Sequence, residues 1–300
     1  MTTVDEVIAA IPEWRGRRVD VEELSGGLTN RNYLVRVDGQ RVVLRVPGAS
    51  TELLAIDRAN ELHNARAAAE TGVSPQVLLA VPAFDAMVVE YLDARTMSNE
   101  SLAAPGMPMR VGRALRQLHT APAFLLDFDM FRLTERYMGV VDGRAIPVPA
   151  GFRASLLALP RLEAALAAHV LPSVPCHNDL LAENYLDDGE RLWIVDFEYS
   201  GNNDPCFELG NTAQELLWDD AQRRELCAAY FGEATDTLLA RMSLQMIMSD
   251  VGWTLWAAIQ ARISTIEFDF WGWAEERWAR ADAKLRSPEL EEWLAAVRAG

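Results

Sequence analysis

The pattern of hydrophobic and polar residues divides the chain into two parts of different character. In the first part, up to Leu92, apolar and polar residues alternate in short segments, which is typical of half-buried strands. One longer segment, residues 53–70, has helical periodicity instead. The strands are predicted at residues 19–24, 32–37, 41–46, 77–79 and 87–91, with Asp38-Gly39 as a hairpin turn. This order predicts a small antiparallel sheet beside one main helix.

After Leu92 the apolar positions recur mostly at helical spacing. Helices are predicted at residues 110–118, 154–159, 162–170, 207–218, 221–230, 235–260 and 271–285, and short strands at 184–186 and 192–195. The sequence therefore predicts an α+β protein with an N-terminal lobe, residues 1–92, and a larger, mostly helical lobe, residues 93–300. A ligand site is expected between the lobes, near a hinge at residues 90–95.

Composition limits the classes of function. Half of the 300 residues are hydrophobic, so a substantial core is available, and the formal net charge is −16. So acidic a chain is unsuited to non-specific binding of nucleic acid, and it favours a cationic small-molecule substrate. We therefore expect no nucleic-acid partner. The sequence leaves the oligomeric state open.

The sequence also predicts a cytoplasmic protein without a membrane partner. Residues 1–14 carry early acids and no basic region, so we expect no signal peptide. The most apolar late stretch, residues 242–263, contains two glutamines, an aspartate and an arginine, which favours a buried helix over a membrane span. The three cysteines are widely spaced and odd in number, which is typical of reduced thiols.

The segment from Cys176 to Asn184, followed by Asp196, contains the side chains that phosphoryl transfer requires. Asn184 comes five residues after Asp179, and Asp196 ends an apolar run twelve residues after Asn184. One carboxylate beside the attacking hydroxyl and two oxygen ligands for Mg²⁺ are the minimum for such a site. We expect Asp179 to orient the hydroxyl and accept its proton, and Asn184 and Asp196 to bind Mg²⁺. His177 is expected to brace the loop by hydrogen bonds and not to act as a base.

Two features of the N-terminal part are candidates for nucleotide binding. Gly26 and Gly27 lie in the turn after the first predicted strand, where backbone amides can lie over phosphates and glycine permits close approach. Arg45 lies inside an apolar strand, where a cation requires a partner, and Glu61 on the following helix is the best candidate. Taken alone, the turn could be an ordinary hairpin and the arginine could face solvent. The other acids that could pair with Arg45 are Glu52 and Glu70.

Together these segments resemble the choline kinase and aminoglycoside phosphotransferase superfamily, and the resemblance runs nearly end to end. The matching segments are residues 25–30 for the nucleotide loop, 44–46 for the basic residue that binds phosphate, 176–184 for the catalytic loop and 194–200 for the metal segment. The resemblance implies a bilobal, protein-kinase-like fold with ATP and Mg²⁺ as cofactors. The residues that it implies for nucleotide binding are Gly26, Gly27, Leu28, Thr29, Asn30, Arg45, Glu61, Glu90 and Tyr91.

Within this superfamily the chain is most similar to the choline and ethanolamine kinases. Residues 196–200, Asp-Phe-Glu-Tyr-Ser, are their form of the metal motif, and residues 253–268 resemble the segment that carries two tryptophans of their choline pocket. The catalytic loop departs from the family at residues 180–183, where members are usually more polar. The residues that the resemblance implies for acceptor binding are Asp179, Glu198, Glu215, Trp253, Trp256 and Trp273.

Tryptophans suit a quaternary ammonium, because such a cation cannot donate hydrogen bonds. Trp253 and Trp256 are three residues apart and so share one face of a helix. Each aromatic face is worth about 0.5–2 kcal/mol to a bound cation, depending on desolvation. Any one of these rings could instead pack in the core. That role is expected of four other tryptophans, Trp14, Trp193, Trp218 and Trp278.

The sequence thus predicts a kinase that transfers the γ-phosphoryl group of Mg·ATP to the hydroxyl of choline, giving phosphocholine. Alternatives with the same chemistry are ethanolamine, thiamine or an aminoglycoside as the acceptor. An alternative of another class is a non-catalytic choline-binding module. The presence of Asp179, Asn184 and Asp196 argues against that module, because a protein that only binds choline needs no metal ligands.

Overall fold

The computed structural model describes residues 3–24, 27–48 and 51–300 and confirms the predicted α+β, kinase-like architecture. A five-stranded sheet forms the N-terminal part, and the rest is mostly helical. All neighbouring strands are antiparallel, in the order β1-β2-β3-β5-β4. The strands are Val19–Leu24 (β1), Asn30–Val37 (β2), Gln40–Pro47 (β3), Val77–Val81 (β4) and Ala86–Glu90 (β5).

The predicted hairpin between β2 and β3 is confirmed. Asp38 and Gly39 have φ values of +49° and +88°, which is the left-handed pair of a two-residue hairpin turn. The register follows from this turn and buries Val35 and Leu44 on one face of the sheet. That face packs against the short N-terminal helix α1, Val4–Ala9.

The helix predicted over residues 53–70 begins later than the hydrophobic periodicity indicates. It spans Arg58–Glu70 (α2), and the side chain of Asp57 caps it. The carbonyl oxygen of Leu54 accepts hydrogen bonds from the hydroxyls of Tyr137 and Tyr199, which occupy both of its lone pairs. That oxygen is therefore not available to an intrahelical N–H group.

The helical part is built around one long buried helix. The helices are Asn99–Leu102 (α3), Met107–Leu118 (α4), Met130–Gly143 (α5), Phe152–Ser155 (α6), Leu159–Leu166 (α7), Pro205–Glu215 (α8), Asp220–Phe231 (α9), Asp236–Ile263 (α10), Phe270–Arg286 (α11) and Glu289–Ala299 (α12). Helix α10 packs against α5, α8, α11 and α12, and every residue from Ala240 to Gln260 is buried. Helices α3, α5 and α12 lie outside the predicted helices.

Short strands bring the predicted catalytic loop and the predicted metal segment together. These strands are Arg95–Thr96 (β6), Val174–Cys176 (β7), Tyr185–Asp187 (β8), Leu192–Ile194 (β9) and Gly201–Asn203 (β10). Strand β7 pairs with β10, and β8 pairs with β6 and β9, all antiparallel. The loop between β7 and β8 and the segment between β9 and β10 therefore lie side by side. The domain boundary after residue 92 stays a prediction, and it falls between β5 and β6.

Three of the four tryptophans expected in the core are buried there, namely Trp14, Trp218 and Trp278. The expectation for Trp193 is wrong. Its neighbours Leu192 and Ile194 are buried, so strand alternation turns its side chain outward, where the indole N–H donates to Asp188 Oδ2 at 2.7 Å. In the described part of the chain, no helix combines the length and apolarity needed to cross a bilayer.

Candidate active site

The predicted catalytic loop follows β7 and is held by helix α8. Glu208 of α8 accepts hydrogen bonds from the backbone N–H groups of His177 and Asn178, each at 2.7 Å. Asn178 has φ +69°, a left-handed conformation that asparagine tolerates better than most residues. Its Nδ2 donates to the carbonyl oxygens of Cys176 and Tyr199 at 3.2 and 3.1 Å. These bonds tie the loop to the segment after β9.

Helix α8 can approach the loop and α10 closely because of its sequence. A Cβ atom at Gly210 would lie 2.8 Å from the carbonyl oxygen of Met242 on α10, so only glycine permits this packing. Asn211, the next residue, accepts a hydrogen bond from the N–H of Leu180 at 2.9 Å. The anchoring roles of Glu208 and Asn211 are absent from the sequence-based prediction. Their signal is the spacing of buried polar residues along one helical face.

His177 braces the loop, as predicted. It is fully buried, its Nε2 donates to the carbonyl of Val195 at 2.8 Å, and its Nδ1 accepts from the N–H of Asp179 at 3.2 Å. Burial lowers the pKa of the imidazole, which favours the neutral ring. Both ring nitrogens are therefore engaged within the protein, and proton acceptance by Asp179 stays a prediction.

Asp179, Asn184 and Asp196 meet on one cavity of about 540 Å³, the first cavity. Asn184 Nδ2 donates to the carbonyl of Asp179 at 2.7 Å, and the carbonyl of Asn184 accepts from the N–H of Val195 at 3.0 Å. These bonds hold Asn184 between the loop and the metal segment, and neither of them uses its Oδ1. Asp196 has φ +74°, which aspartate also tolerates. Carboxylate and amide oxygens are the ligands that Mg²⁺ takes, so the donor set fits this ion.

The carboxylates around Asp179 act on one another. Burial and the charges of Glu215, Glu198 and Asp196 raise the pKa of the Asp179 carboxyl well above its usual range. Burial acts in the same direction on Asp196, but the Arg45 guanidinium outweighs it and lowers the pKa of Asp196. Cations bound among such groups favour the ionised forms. The arrangement therefore suits a bound cation.

Arg45 pairs with Glu61, as predicted, and connects it to the metal segment. Arg45 Nε lies 2.9 Å from Glu61 Oε1, and a second guanidinium nitrogen contacts the Asp196 carboxylate. Glu198 is 3.8 Å away. Burial opposes the charge of Arg45, but the three carboxylates raise its pKa further above the usual range. In the described structure, Arg45 forms no ion pair with either rival acid, Glu52 or Glu70.

Glu198 joins the loop before β2 to the metal segment. Its two carboxylate oxygens accept hydrogen bonds from the hydroxyl of Thr29 at 2.5 Å and from Nδ2 of Asn30 at 2.7 Å, and Arg58 lies 3.3 Å away. Burial and the neighbouring Asp196 raise the pKa of Glu198 to about 7. A contact between Glu198 and the acceptor stays a prediction.

A second cavity, of about 460 Å³, adjoins the first one beneath the sheet. Apolar residues of β3, β4 and β5 line it, together with Arg45 and the hinge residues Glu90 and Tyr91. Asn184 and Asp196 line both cavities. The two cavities therefore meet at the candidate metal ligands, which is the arrangement that transfer of a group between two bound molecules requires.

Only part of the predicted nucleotide loop is described, because Gly26 lies outside the described residues. Gly27 has φ +103° and lines both cavities, and a Cβ there would lie 2.7 Å from the carbonyl oxygen of Asn30. Leu28 and Thr29 line the first cavity, and the side chain of Asn30 is buried. Nucleotide contacts of these residues stay a prediction.

The three tryptophans expected in the acceptor pocket converge on the first cavity. Trp253 and Trp256 lie on α10, and α11 folds back so that the ring centroids of Trp273 and Trp256 are 5.7 Å apart, edge to face. Tyr199 lies behind them: its ring centroid is 4.9 Å from that of Trp253, and its hydroxyl accepts from the Trp256 indole N–H at 2.7 Å. Tyr199 is missing from the predicted site residues, although its place inside the metal motif is a signal for it.

A buried ion network borders these tryptophans, and sequence reasoning missed it. The guanidinium of Arg277 pairs with both carboxylate oxygens of Glu215 and lies 4.0 Å from the ring centroid of Trp273. Arg280 pairs with Asp250 of α10 at 2.6 Å, and burial raises the pKa of Asp250 to about 6. The signal in the sequence is the helical spacing of Trp273, Arg277 and Arg280 on α11.

Comparison with known proteins identifies relatives along most of the chain. The phosphotransferase enzyme family matches residues 20–245. Ethanolamine kinase 2 of Mus musculus is 26% identical, over 86% of this chain and 74% of its own length. A choline/ethanolamine kinase family protein from Mesorhizobium loti is 42% identical, with 98% of this chain and 97% of its own covered and a TM-score of 0.85. Choline kinase LicA from Streptococcus pneumoniae shares the fold at 24% identity, with coverage of 94% and 98% and a TM-score of 0.80.

Proposed function

This chain belongs to the choline/ethanolamine kinase family of phosphotransferases, which act on an alcohol hydroxyl, and we propose that its acceptor is choline and its donor Mg·ATP. One observation carries this proposal. The two cavities meet at Asn184 and Asp196, and the cavity that holds Asp179 is also lined by three indole rings.

Each cavity suits one of the two substrates. The apolar residues of the second cavity hold the adenine base, and Arg45 binds the phosphates. Asn184 and Asp196 would hold Mg²⁺, which would neutralise negative charge on the phosphates. In the first cavity, Asp179 accepts the proton of the choline hydroxyl as the hydroxyl oxygen attacks the γ-phosphorus. The bond between the γ-phosphorus and the β–γ bridging oxygen breaks, and ADP leaves. The backbone bonds to His177 and Asn184 keep Asp179 in place for this step.

The wall beside the tryptophans supports choline over ethanolamine. A primary ammonium needs acceptors for its N–H donors, whereas a quaternary ammonium needs none. Glu215, a buried carboxylate of this wall, is already paired through both oxygens with Arg277, which neutralises its charge. Glu276 also lines the cavity, but its side chain is largely exposed and therefore solvated. The indole faces remain for the cation. Ethanolamine is the second candidate, because the mouse relative is an ethanolamine kinase.

A series of amino alcohols that differ only in methylation tests the acceptor. We expect kcat/KM to rise from ethanolamine through its N-methyl and N,N-dimethyl derivatives to choline, because each methyl group adds apolar contact and removes a donor. The whole step is expected to be roughly tenfold to two-hundredfold. An assay of ADP release measures it. If kcat/KM instead falls from ethanolamine to choline, ethanolamine replaces choline as the proposed acceptor. If no member of the series is turned over, the proposal of an amino-alcohol acceptor is rejected.

The same series on a Trp273→Leu variant provides the control for the rings. Trp273 is half-buried, so its replacement disturbs the core less than replacement of a buried tryptophan. We expect this variant to lose most of the methyl preference while its KM for ATP is unchanged. Trp271→Leu is the matched variant: Trp271 is also half-buried on α11 but does not line the first cavity as described. Equal losses in the two variants would assign Trp273 to packing alone.

The role of Arg45 is tested by its effect on ATP. Arg45→Met should raise the KM for ATP about tenfold or more, because hydrogen bonds between charged groups are worth about 1.5–3 kcal/mol each. Arg45→Lys should recover only part of this, since an ammonium cannot hold Glu61 and a phosphate in a planar fork. Arg36→Lys, at a half-buried arginine of β2 that lines neither described cavity, is the control. Lower stability with an unchanged KM for ATP would make Arg45 a structural ion-pair residue.

A further inference from the structure

Leu217 is a largely exposed leucine in a backbone conformation that leucine rarely adopts. Its φ is +55°, in the left-handed region, and its side chain is 60% exposed. The same side chain lines the first cavity. Burial in the core does not account for a leucine in this conformation, because an exposed side chain contributes little to the core.

The conformation follows from the way in which helix α8 ends. The N–H of Trp218 donates to the carbonyl of Ala213 at 3.0 Å, and the N–H of Leu217 donates to the carbonyl of Gln214 at 3.3 Å. These two bonds form a Schellman motif, in which the left-handed position is usually glycine. The backbone at position 217 therefore favours glycine, and it gives no reason for a leucine there.

The end of α8 is firmly attached to the rest of the pocket. Asn99 Nδ2 donates to the carbonyl oxygen of Glu215 at 3.1 Å, and the Glu215 side chain is paired with Arg277 of α11. Asn99, Glu215, Arg277 and Leu217 all line the first cavity. Two residues beyond this anchor, Leu217 is held at the cavity by a helix end that these bonds connect to α3 and α11.

We propose that Leu217 is a specificity-determining residue, an apolar wall that contacts the alkyl groups of the acceptor's ammonium. The indole rings come from α10 and α11, whereas Leu217 comes from the end of α8, so the cavity has apolar groups on different walls. A trimethylammonium group presents apolar methyl surface in every direction except toward its hydroxyethyl chain. The inference rests on the proposed function and adds to it a residue outside the indole rings that selects alkylated amino alcohols.

The chain provides a matched control for a test of this residue. Ala145 has φ +50° and occupies the same position of the same motif at the end of α5. The N–H of Ile146 donates to the carbonyl of Val141 at 2.9 Å, and that of Ala145 donates to Asp142 at 3.4 Å. Ala145 is exposed and lines neither of the two described cavities. Glycine at position 145 or 217 therefore relieves the same backbone conformation, but only the change at 217 alters the pocket.

The experiment compares Leu217→Gly, Leu217→Asn and Ala145→Gly with the wild type. Both glycine variants should raise Tm, by roughly 1–3 °C, because glycine adopts the left-handed conformation without a Cβ clash. Only the Leu217 variants should raise the KM for choline, by about three- to thirtyfold from lost apolar contact, with the KM for ATP unchanged. Asparagine also tolerates this conformation, so it separates loss of the side-chain contact from added flexibility.

Failure of this inference is distinguishable from failure of the proposed function. If Leu217→Gly raises Tm but leaves the KM for choline within twofold, the wall is wrong and the kinase assignment stands. If the wild type prefers another alcohol, the assignment of choline as the acceptor is wrong. If the KM for that alcohol is then also unchanged in Leu217→Gly, the proposed wall is wrong as well. If no alcohol is turned over, choline affinity measured by tryptophan fluorescence replaces KM, and equal affinities overturn the wall.

Discussion

Asp179→Asn will lower kcat by about 10²-fold or more, the range of a positioned general base, while nucleotide affinity is largely kept. The structure explains why the effect should be confined to chemistry. The loop is held through the backbone of Asp179, whose N–H donates to His177 and whose carbonyl accepts from Asn184. Asparagine preserves both bonds and the side-chain shape, and it removes only the proton acceptor. Steady-state ADP release at saturating choline and ATP measures the loss.

The control for this variant is Asp142→Asn, which makes the same chemical change at an exposed aspartate of α5. It should leave kcat within a factor of two. Thermal unfolding of both variants checks that the fold is intact. A kcat for Asp179→Asn within a factor of three of the wild type would remove Asp179 from the mechanism.

Asp196→Asn should cost still more, about 10³-fold or more in kcat/KM at ordinary Mg²⁺. The charge stabilisation that a metal supplies is worth several kcal/mol, and each factor of ten in rate corresponds to about 1.4 kcal/mol. The substitution replaces the charged oxygen of the proposed metal ligand by a neutral one, and it removes one of the three carboxylates around Arg45. A titration of activity with Mg²⁺ measures the effect.

Asn184→Ala serves as the companion variant, because it removes a neutral oxygen ligand and leaves the charges unchanged. It should shift the Mg²⁺ requirement upward, and excess Mg²⁺ should restore part of the activity. Loss of activity in both variants with an unchanged Mg²⁺ midpoint would place these residues in a structural role. Turnover by the wild-type enzyme after treatment with a chelator would contradict the metal-dependent mechanism as a whole.

The fold class and the main candidate residues were accessible from the sequence because both are written in local patterns. The strand–turn–strand pattern around Asp38-Gly39 predicts its hairpin, since few dipeptides adopt that turn. The loop containing Asp179 and Asn184 could be identified because its residue types and spacing meet the needs of phosphoryl transfer. The helix at residues 53–70 was only partly predicted, because periodicity contains no information on the tyrosine hydroxyls that occupy the carbonyl of Leu54.

The sequence by itself determined which chemical groups are available and how neighbouring residues along one element are oriented. Asp179, Asn184 and Asp196 follow from their order and spacing, and the shared face of Trp253 and Trp256 follows from the helical repeat. Only the tertiary structure decided which distant groups meet.

It paired Arg45 with Glu61 and Asp196 and not with Glu52 or Glu70, neutralised Glu215 with Arg277, and placed Leu217 at the cavity in a strained turn. The physical reason is that the packing of the elements decides two things. It decides which group pairs with a buried charge, and it decides what an exposed side chain lies against. That packing is set by long-range contacts between α8, α10, α11 and the sheet, which no local pattern of residues specifies.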